Sequence, residues 1–327
     1  MDKLALITRN VEEVVTLDGL QTLLATKKHP RAYAGYEPSG KIHMGHVLTV
    51  NKLIDLQNAG FDITILLADL HAYLNEKGEL EEIREMAREN KRAFVALGLD
   101  LAKTTFVLGG SDECGFSDKD GFQMTPKYQM RWQKLMQRIP EKRAIRSMML
   151  LARDPANMKA SHIIYPILQV ADIIELGIDV AVGGMDQRKI HMLAREVLPK
   201  IGLEAPICIH TPILVGLDGA KMSSSKGNYI SVDDSPEDVQ RKISSAFCPS
   251  KQTKDNPVLE LFKHHIFPRF SEAVIKRPPK FGGDLHYTQY TDLEGDYISG
   301  AVHPLDVKNC AVEYMNKILE PVRKVLA

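Results

Sequence analysis

Up to about residue 230 the chain alternates short, β-branched apolar runs with longer stretches of helical period. Runs at 31–36, 62–68, 105–108, 178–182 and 207–214 read as strands, and 46–59, 79–97, 128–151 and 187–198 read as helices. Apolar strands separated by helices bury themselves in a parallel sheet covered on both faces. The pattern therefore predicts a doubly wound α/β domain with ligands at the carboxyl ends of its strands. Beyond 230 the texture becomes mainly helical. Ser235 can cap a helix begun by Pro236 and favoured by Glu237 and Asp238 at its positive end, and Val307, Ala311, Met315, Ile318, Leu319 and Val322 share one face near the C-terminus. We place the domain boundary at 232/233, giving an α/β domain over residues 1–232 and a mainly α-helical domain over 233–327.

The 42 Lys+Arg balance the 42 Asp+Glu, so a nucleic-acid partner has to be met by a local basic patch. Residues 127–146 offer one: Lys127, Arg131, Lys134, Arg138, Lys142, Arg143 and Arg146 stand against Glu141 alone. They suit a stripe along phosphates, and equally a solvated face that Pro140 interrupts. Cys114, Cys208, Cys248 and Cys310 lie far apart, with no Cys/His cluster at zinc-ligand spacing, so no protein-ligated metal is expected. No apolar run approaches the ~18 residues of a membrane span, and the N-terminus lacks a signal-peptide core, which leads us to expect a cytoplasmic chain without membrane partners.

Two segments carry chemistry. Tyr36-Glu37-Pro38-Ser39-Gly40-Lys41-Ile42-His43-Met44-Gly45-His46 follows a predicted strand and opens a helix. Two histidines beside free helix amides favour phosphate, and Gly45 lets a planar group approach the backbone. Lys221-Met222-Ser223-Ser224-Ser225-Lys226-Gly227-Asn228 offers hydroxyls and two lysines to a polyphosphate. Alone, the first also fits a plain helix start and the second a surface linker.

Together, His43-Met44-Gly45-His46 and Lys221-Met222-Ser223-Ser224-Ser225 resemble the HIGH and KMSKS signatures of class I aminoacyl-tRNA synthetases. The strings YEPSGKIHMGH, LLADLHAYLN, IIYPILQVADI, VAVGGMDQRKIHMLAREVLP, LDGAKMSSSKGN and KRPPKFGGDL resemble the archaeal and eukaryotic-type tyrosyl-tRNA synthetases, from about residue 30 to the end. Ser224 stands where the motif has lysine, a variant associated with archaeal members, and shifts charge to Lys221 and Lys226. The stretch 108–127 matches weakly and receives no substrate role.

The resemblance implies a Rossmann-like catalytic domain that binds nucleotide and tyrosine, followed by an anticodon-binding domain. The implied reaction joins L-tyrosine to tRNA(Tyr) using ATP with Mg²⁺, in a homodimer. His43, His46, Lys221, Ser223, Ser224 and Ser225 would carry catalysis, with Gly45, His46 and Ser224 against ATP. Tyr33 and Asp172 would hold the substrate hydroxyl, with Gly35, Tyr165, Gln169 and Gln187 around the rest of the amino acid. The spacing of Tyr165, Gln169 and Asp172 at i, i+4 and i+7 independently places all three on one helix face. Asp69 and His71 close the second predicted strand, in either a pocket or a structural role. The acceptor end of tRNA would meet Arg146, Arg188 and Lys189, and the first anticodon base Phe281, His303 and Asp306. Competing readings are a tryptophanyl-tRNA synthetase, a nucleotidylyltransferase that uses no RNA, and a catalytically silent RNA-binding relative.

Overall fold

The computed structural model describes residues 2–152, 154–220, 222 and 226–327, and its packing separates into two compact units. One comprises residues up to 40 with 52–212; the other comprises 41–51 with 213–327. Of the first unit's strands, β1 is Glu13–Val15, β2 Arg31–Tyr36, β3 Asp62–Leu67, β4 Thr104–Leu108, β5 Val180–Gly184 and β6 Ile207–Thr211. They form one sheet in the order β1-β6-β5-β2-β3-β4.

β2 to β6 are mutually parallel, as their almost uniformly buried, β-branched sequences lead one to expect. β1 adds an antiparallel edge, pairing Glu13 with His210, and is too short at three residues to show a period in the sequence. The chain leaves β2 to build β3 and β4 on one side, then returns to place β5 on the other. The order reverses between β2 and β5, and there a doubly wound sheet opens a crevice beyond its carboxyl ends.

The expected helix 128–151 is divided into Pro126–Met136 and Glu141–Met148, because Pro140 ends the first run and occupies the N-cap of the second. Helix Ala160–Glu175 is buried along most of its length in the main core with Leu66, Val107, Leu193 and Val197, and tolerates Pro166 inside it. Lys52, buried at 2 % exposure, donates to the carbonyls of Leu6, Ile7 and Arg9 and pairs with Asp55, tying down the N-terminal segment.

The second unit begins helix Met44–Ala59 and contains helices Pro236–Ser245, Pro257–Leu261, Tyr290–Ser299 and Pro304–Leu326. Ser235 caps the first of these four by accepting from the Asp238 amide at 3.0 Å. A small hairpin, β7 (Ala273–Ile275) against β8 (Leu285–Tyr287), interrupts the helices. The last helix runs through Pro321 as one element, and all six residues of its expected apolar face are buried.

Candidate active site

In the first unit, β2 carries Tyr33 and Gly35 at the switch point. Gly35 is exposed between buried Ala34 and Tyr36, so the sheet is open above it, and a Cβ there would stand 3.3 Å from the Tyr33 hydroxyl. Burial pushes the Tyr33 phenol well up, and the neighbouring Asp172 charge pushes it further.

Helix Ala160–Glu175 presents Tyr165, Gln169 and Asp172 from one face, all buried. Asp172 Oδ1 accepts from Gln123 Nε2 at 2.8 Å and from the Tyr128 hydroxyl at 2.6 Å. Its Oδ2 is buried with no hydrogen-bond partner; His71 Nε2 stands 3.4 Å away without the alignment to donate. Burial raises the Asp172 carboxyl to about 7, against the pull of the two donors, and lowers the His71 imidazole to about 4, so His71 is neutral. A fully buried carboxylate oxygen without a donor is costly, and a ligand hydroxyl is one group that satisfies it.

Gln169 Nε2 donates to Gln187 Oε1 at 3.1 Å, while Gln169 Oε1 is buried without a partner. Tyr165 donates to Glu37 Oε1 at 2.8 Å, and the His71 ring packs edge-on to Tyr165 at 4.7 Å. Burial also raises the Glu37 carboxyl, against the lowering influence of Lys77, Tyr165 and Asn75. The five polar residues expected in the pocket, Tyr33, Tyr165, Gln169, Asp172 and Gln187, thus line or border one polar cluster.

Sequence reasoning missed Gln123 and Tyr128, which hold Asp172, and gave Glu37 no role. Gln123 lies in the single 3-10 turn Phe122–Met124, too short to show a period, and only its complete burial betrays it. Gly109 leaves room for it, since a Cβ there would meet Gln123 Oε1 at 2.2 Å. Of the pair left open above, His71 belongs to the pocket. Asp69 accepts from the Gly110 amide at 2.8 Å and from Arg84 at 3.3 Å, a structural role.

In the second unit the first signature segment packs against Met222 and against residues 229–232, which follow the second signature in the sequence. Met44 N donates to Ile230 O at 3.1 Å, Val232 N to Ile42 O at 2.9 Å, and the His43 ring lies 5.1 Å from that of Tyr229. A Cβ on Gly45 would stand 3.0 Å from His43 Cε1 and 3.7 Å from Met222 Sδ, so only glycine fits without displacing the histidine. The His43 amide donates to His46 Nδ1 and the Gly45 amide to His43 Nδ1, both at 3.2 Å. Each Nδ1 is therefore an acceptor, and the ring proton of each neutral imidazole sits on Nε2. Burial holds His43 at about 4 and His46 well below its ordinary value, so both stay neutral donors at the positive end of helix Met44–Ala59.

Lys221, Ser223, Ser224 and Ser225 lie outside the described residues. Their flanks are braced: Leu217 N donates to Asn228 O at 2.8 Å, and Asn228 Nδ2 to Asp218 Oδ1 at 2.7 Å.

Of the residues expected to meet tRNA, Arg146 is exposed and Lys189 half-buried, while Arg188 donates from Nε to Glu13 at 2.5 Å. The basic stripe is partly neutralised, because Lys127 and Arg131 pair with Glu175, and Arg143 with Glu196. In the other unit Phe281 is exposed with Lys280 Nζ 4.9 Å from its ring centre, and His303 caps the terminal helix with Asp306 in its first turn. Arg277 braces this region by donating to Gly283 O and Ala301 O, each at 3.0 Å.

Residues 25–320 match the profile of the family described as tRNA synthetases class I (W and Y). The chain is 57% identical over 326 residues, covering 100% of both chains, to the tyrosine–tRNA ligase of Methanococcoides burtonii. It is similar, at 54% identity with a TM-score of 0.95 over 99% of both chains, to the crystal structure of tyrosyl-tRNA synthetase complexed with L-tyrosine from Archaeoglobus fulgidus. A tryptophanyl-tRNA synthetase from Aeropyrum pernix shares the fold at 22% identity and a TM-score of 0.75 over 96% of this chain and 82% of that one. The chain belongs to the tyrosyl-tRNA synthetases of the class I family.

Proposed function

We propose that the chain is a tyrosine–tRNA ligase working in two steps. The tyrosine carboxylate attacks the α-phosphate of Mg²⁺-ATP, forming tyrosyl-adenylate and releasing pyrophosphate. A ribose hydroxyl of the tRNA 3′ end then attacks the adenylate carbonyl and releases AMP. The substrates supply both attacking oxygens, so the protein's task is alignment and charge neutralisation. His43 and His46 donate Nε2 protons to phosphate oxygens, and we assign Lys221, Ser223, Ser224 and Ser225 to neutralising the charge of the triphosphate, with Lys226 adding to it.

Asp172 carries the substrate reading. With Oδ1 held by Gln123 and Tyr128, its partnerless Oδ2 accepts a phenolic proton alongside Tyr33. Gln169, Gln187, Tyr165 and Glu37 meet the ammonium and carboxylate. An indole offers one N–H on a larger ring, which disfavours the tryptophan reading. Tyrosine-dependent ATP–pyrophosphate exchange, followed by charging of tRNA(Tyr), tests the assignment. Exchange driven by tryptophan, or exchange without transfer to tRNA, overturns it.

Functionally we divide the chain at 232/233, with anticodon reading by Phe281, His303 and Asp306 in the C-terminal part and acceptor-end contacts by Arg146, Arg188 and Lys189. An exposed aromatic and imidazole suit a splayed base, and the carboxylate suits a guanine edge. We expect a homodimer, in keeping with the exposed apolar side chains of Met124, Met130, Met136, Met149 and Leu150, and light scattering would reveal it. We place the protein in the cytoplasm; among the described residues no helix is long and apolar enough to cross a membrane.

A further inference from the structure

Antiparallel pairing of β1 with β6 sets Glu13 opposite His210. Glu13 Oε1 accepts from Arg188 Nε at 2.5 Å and from His210 Nδ1 at 2.8 Å. His210 Nε2 lies 2.9 Å from His191 Nδ1, with the two buried rings stacked at 5.1 Å. The carboxylate dictates the proton order: His210 donates from Nδ1, so its Nε2 must accept from His191 Nδ1. Burial lowers His191 to about 3 and pushes Glu13 up, yet Arg188 and His210 more than offset that push and keep Glu13 a carboxylate. The relay therefore holds one fixed charge arrangement at neutral pH.

Its outer end is the Arg188 side chain, 41% exposed and adjoining Gln187. A half-exposed ion pair contributes little to stability. What two buried imidazoles behind the carboxylate do supply is direction. With Nε committed to Glu13, the Nη1/Nη2 edge is the donor pair left to grip a guanine or phosphate bidentately.

We infer that Glu13, backed by His210 and His191, is a positioning residue that aims the Arg188 guanidinium at the acceptor end of tRNA. The inference rests on the proposed tRNA reading of Arg188. Glu13 itself touches no substrate, so the signature is a split between the two reaction steps. Glu13→Ala should leave ATP–pyrophosphate exchange within about twofold of the parent while kcat/KM for charging a tRNA(Tyr) transcript falls about tenfold. Glu13→Gln keeps an acceptor oxygen and should recover part of the loss. Glu13→Ala added to Arg188→Ala should cause no further loss, because the two act through one group.

If Arg188→Ala slows charging and Glu13→Ala does not, the relay is idle and the inference falls while the reading of Arg188 stands. If neither slows charging, both fall. A Glu13→Gln chain that loses exchange and charging equally makes Glu13 an element of the fold and also overturns the inference.

Discussion

Replacing Asp172 by asparagine should separate what this carboxylate does for recognition from what it does to stability. Gln123 and Tyr128 both donate to Oδ1, so the asparagine oxygen is held there and its amide NH₂ takes the place of Oδ2. The group offered to a phenol changes from acceptor to donor with no change of shape. A hydrogen bond to a charged group contributes about 1.5–3 kcal/mol, so kcat/KM for tyrosine in pyrophosphate exchange should fall roughly 10- to 100-fold. Phenylalanine, which has no hydroxyl to lose, should change less than about threefold.

Stability should move the other way. Burial raises the carboxyl from 3.8 to about 7, so the folded, ligand-free chain holds this proton more tightly than the unfolded chain does. The ionisation penalty is absent below about pH 4, grows as pH rises towards 7, and reaches at most about 4 kcal/mol above that. The D172N chain has no charge to bury, so without tyrosine its melting temperature should exceed the parent's at pH 8 and approach it at pH 4. The same ionisation makes the parent's tyrosine affinity, read by equilibrium dialysis, fall about tenfold from pH 8 to pH 6. An unchanged tyrosine/phenylalanine ratio, or a melting difference equal at both pH values, would refute the reasoning.

Gly45→Ala forces a methyl to 3.0 Å from His43 Cε1, so the exchange rate should fall by about 10- to 100-fold while tyrosine binding by dialysis stays within twofold. Tyr128→Phe removes a donor that lowers the Asp172 carboxyl. The midpoint of the tyrosine-binding pH profile should therefore move above about 7, with affinity at neutral pH reduced severalfold; a fixed midpoint would contradict the assigned hydrogen bond. Asp306→Ala should raise KM for tRNA severalfold in charging and leave exchange untouched, and an equal loss in both assays would count against anticodon reading there.

The sequence by itself determined the elements whose information is local. Apolar runs alternating with helical periods dictated the five parallel strands, Ser235 and Pro236 dictated a helix start, and the i, i+4, i+7 spacing put Tyr165, Gln169 and Asp172 on one face. The two signature segments were legible only as a pair, because each alone also fits an ordinary helix start or a surface linker. Tertiary structure alone decided the contacts that join residues distant along the chain. Gln123 and Tyr128 meet Asp172 across more than forty residues, and Glu13 meets His210 across 197. No period marks them, because a buried polar group is recognised only by the partner that folding brings to it. The same holds for protonation. Histidine composition is silent on charge, whereas burial and two backbone amides make His43 and His46 neutral donors.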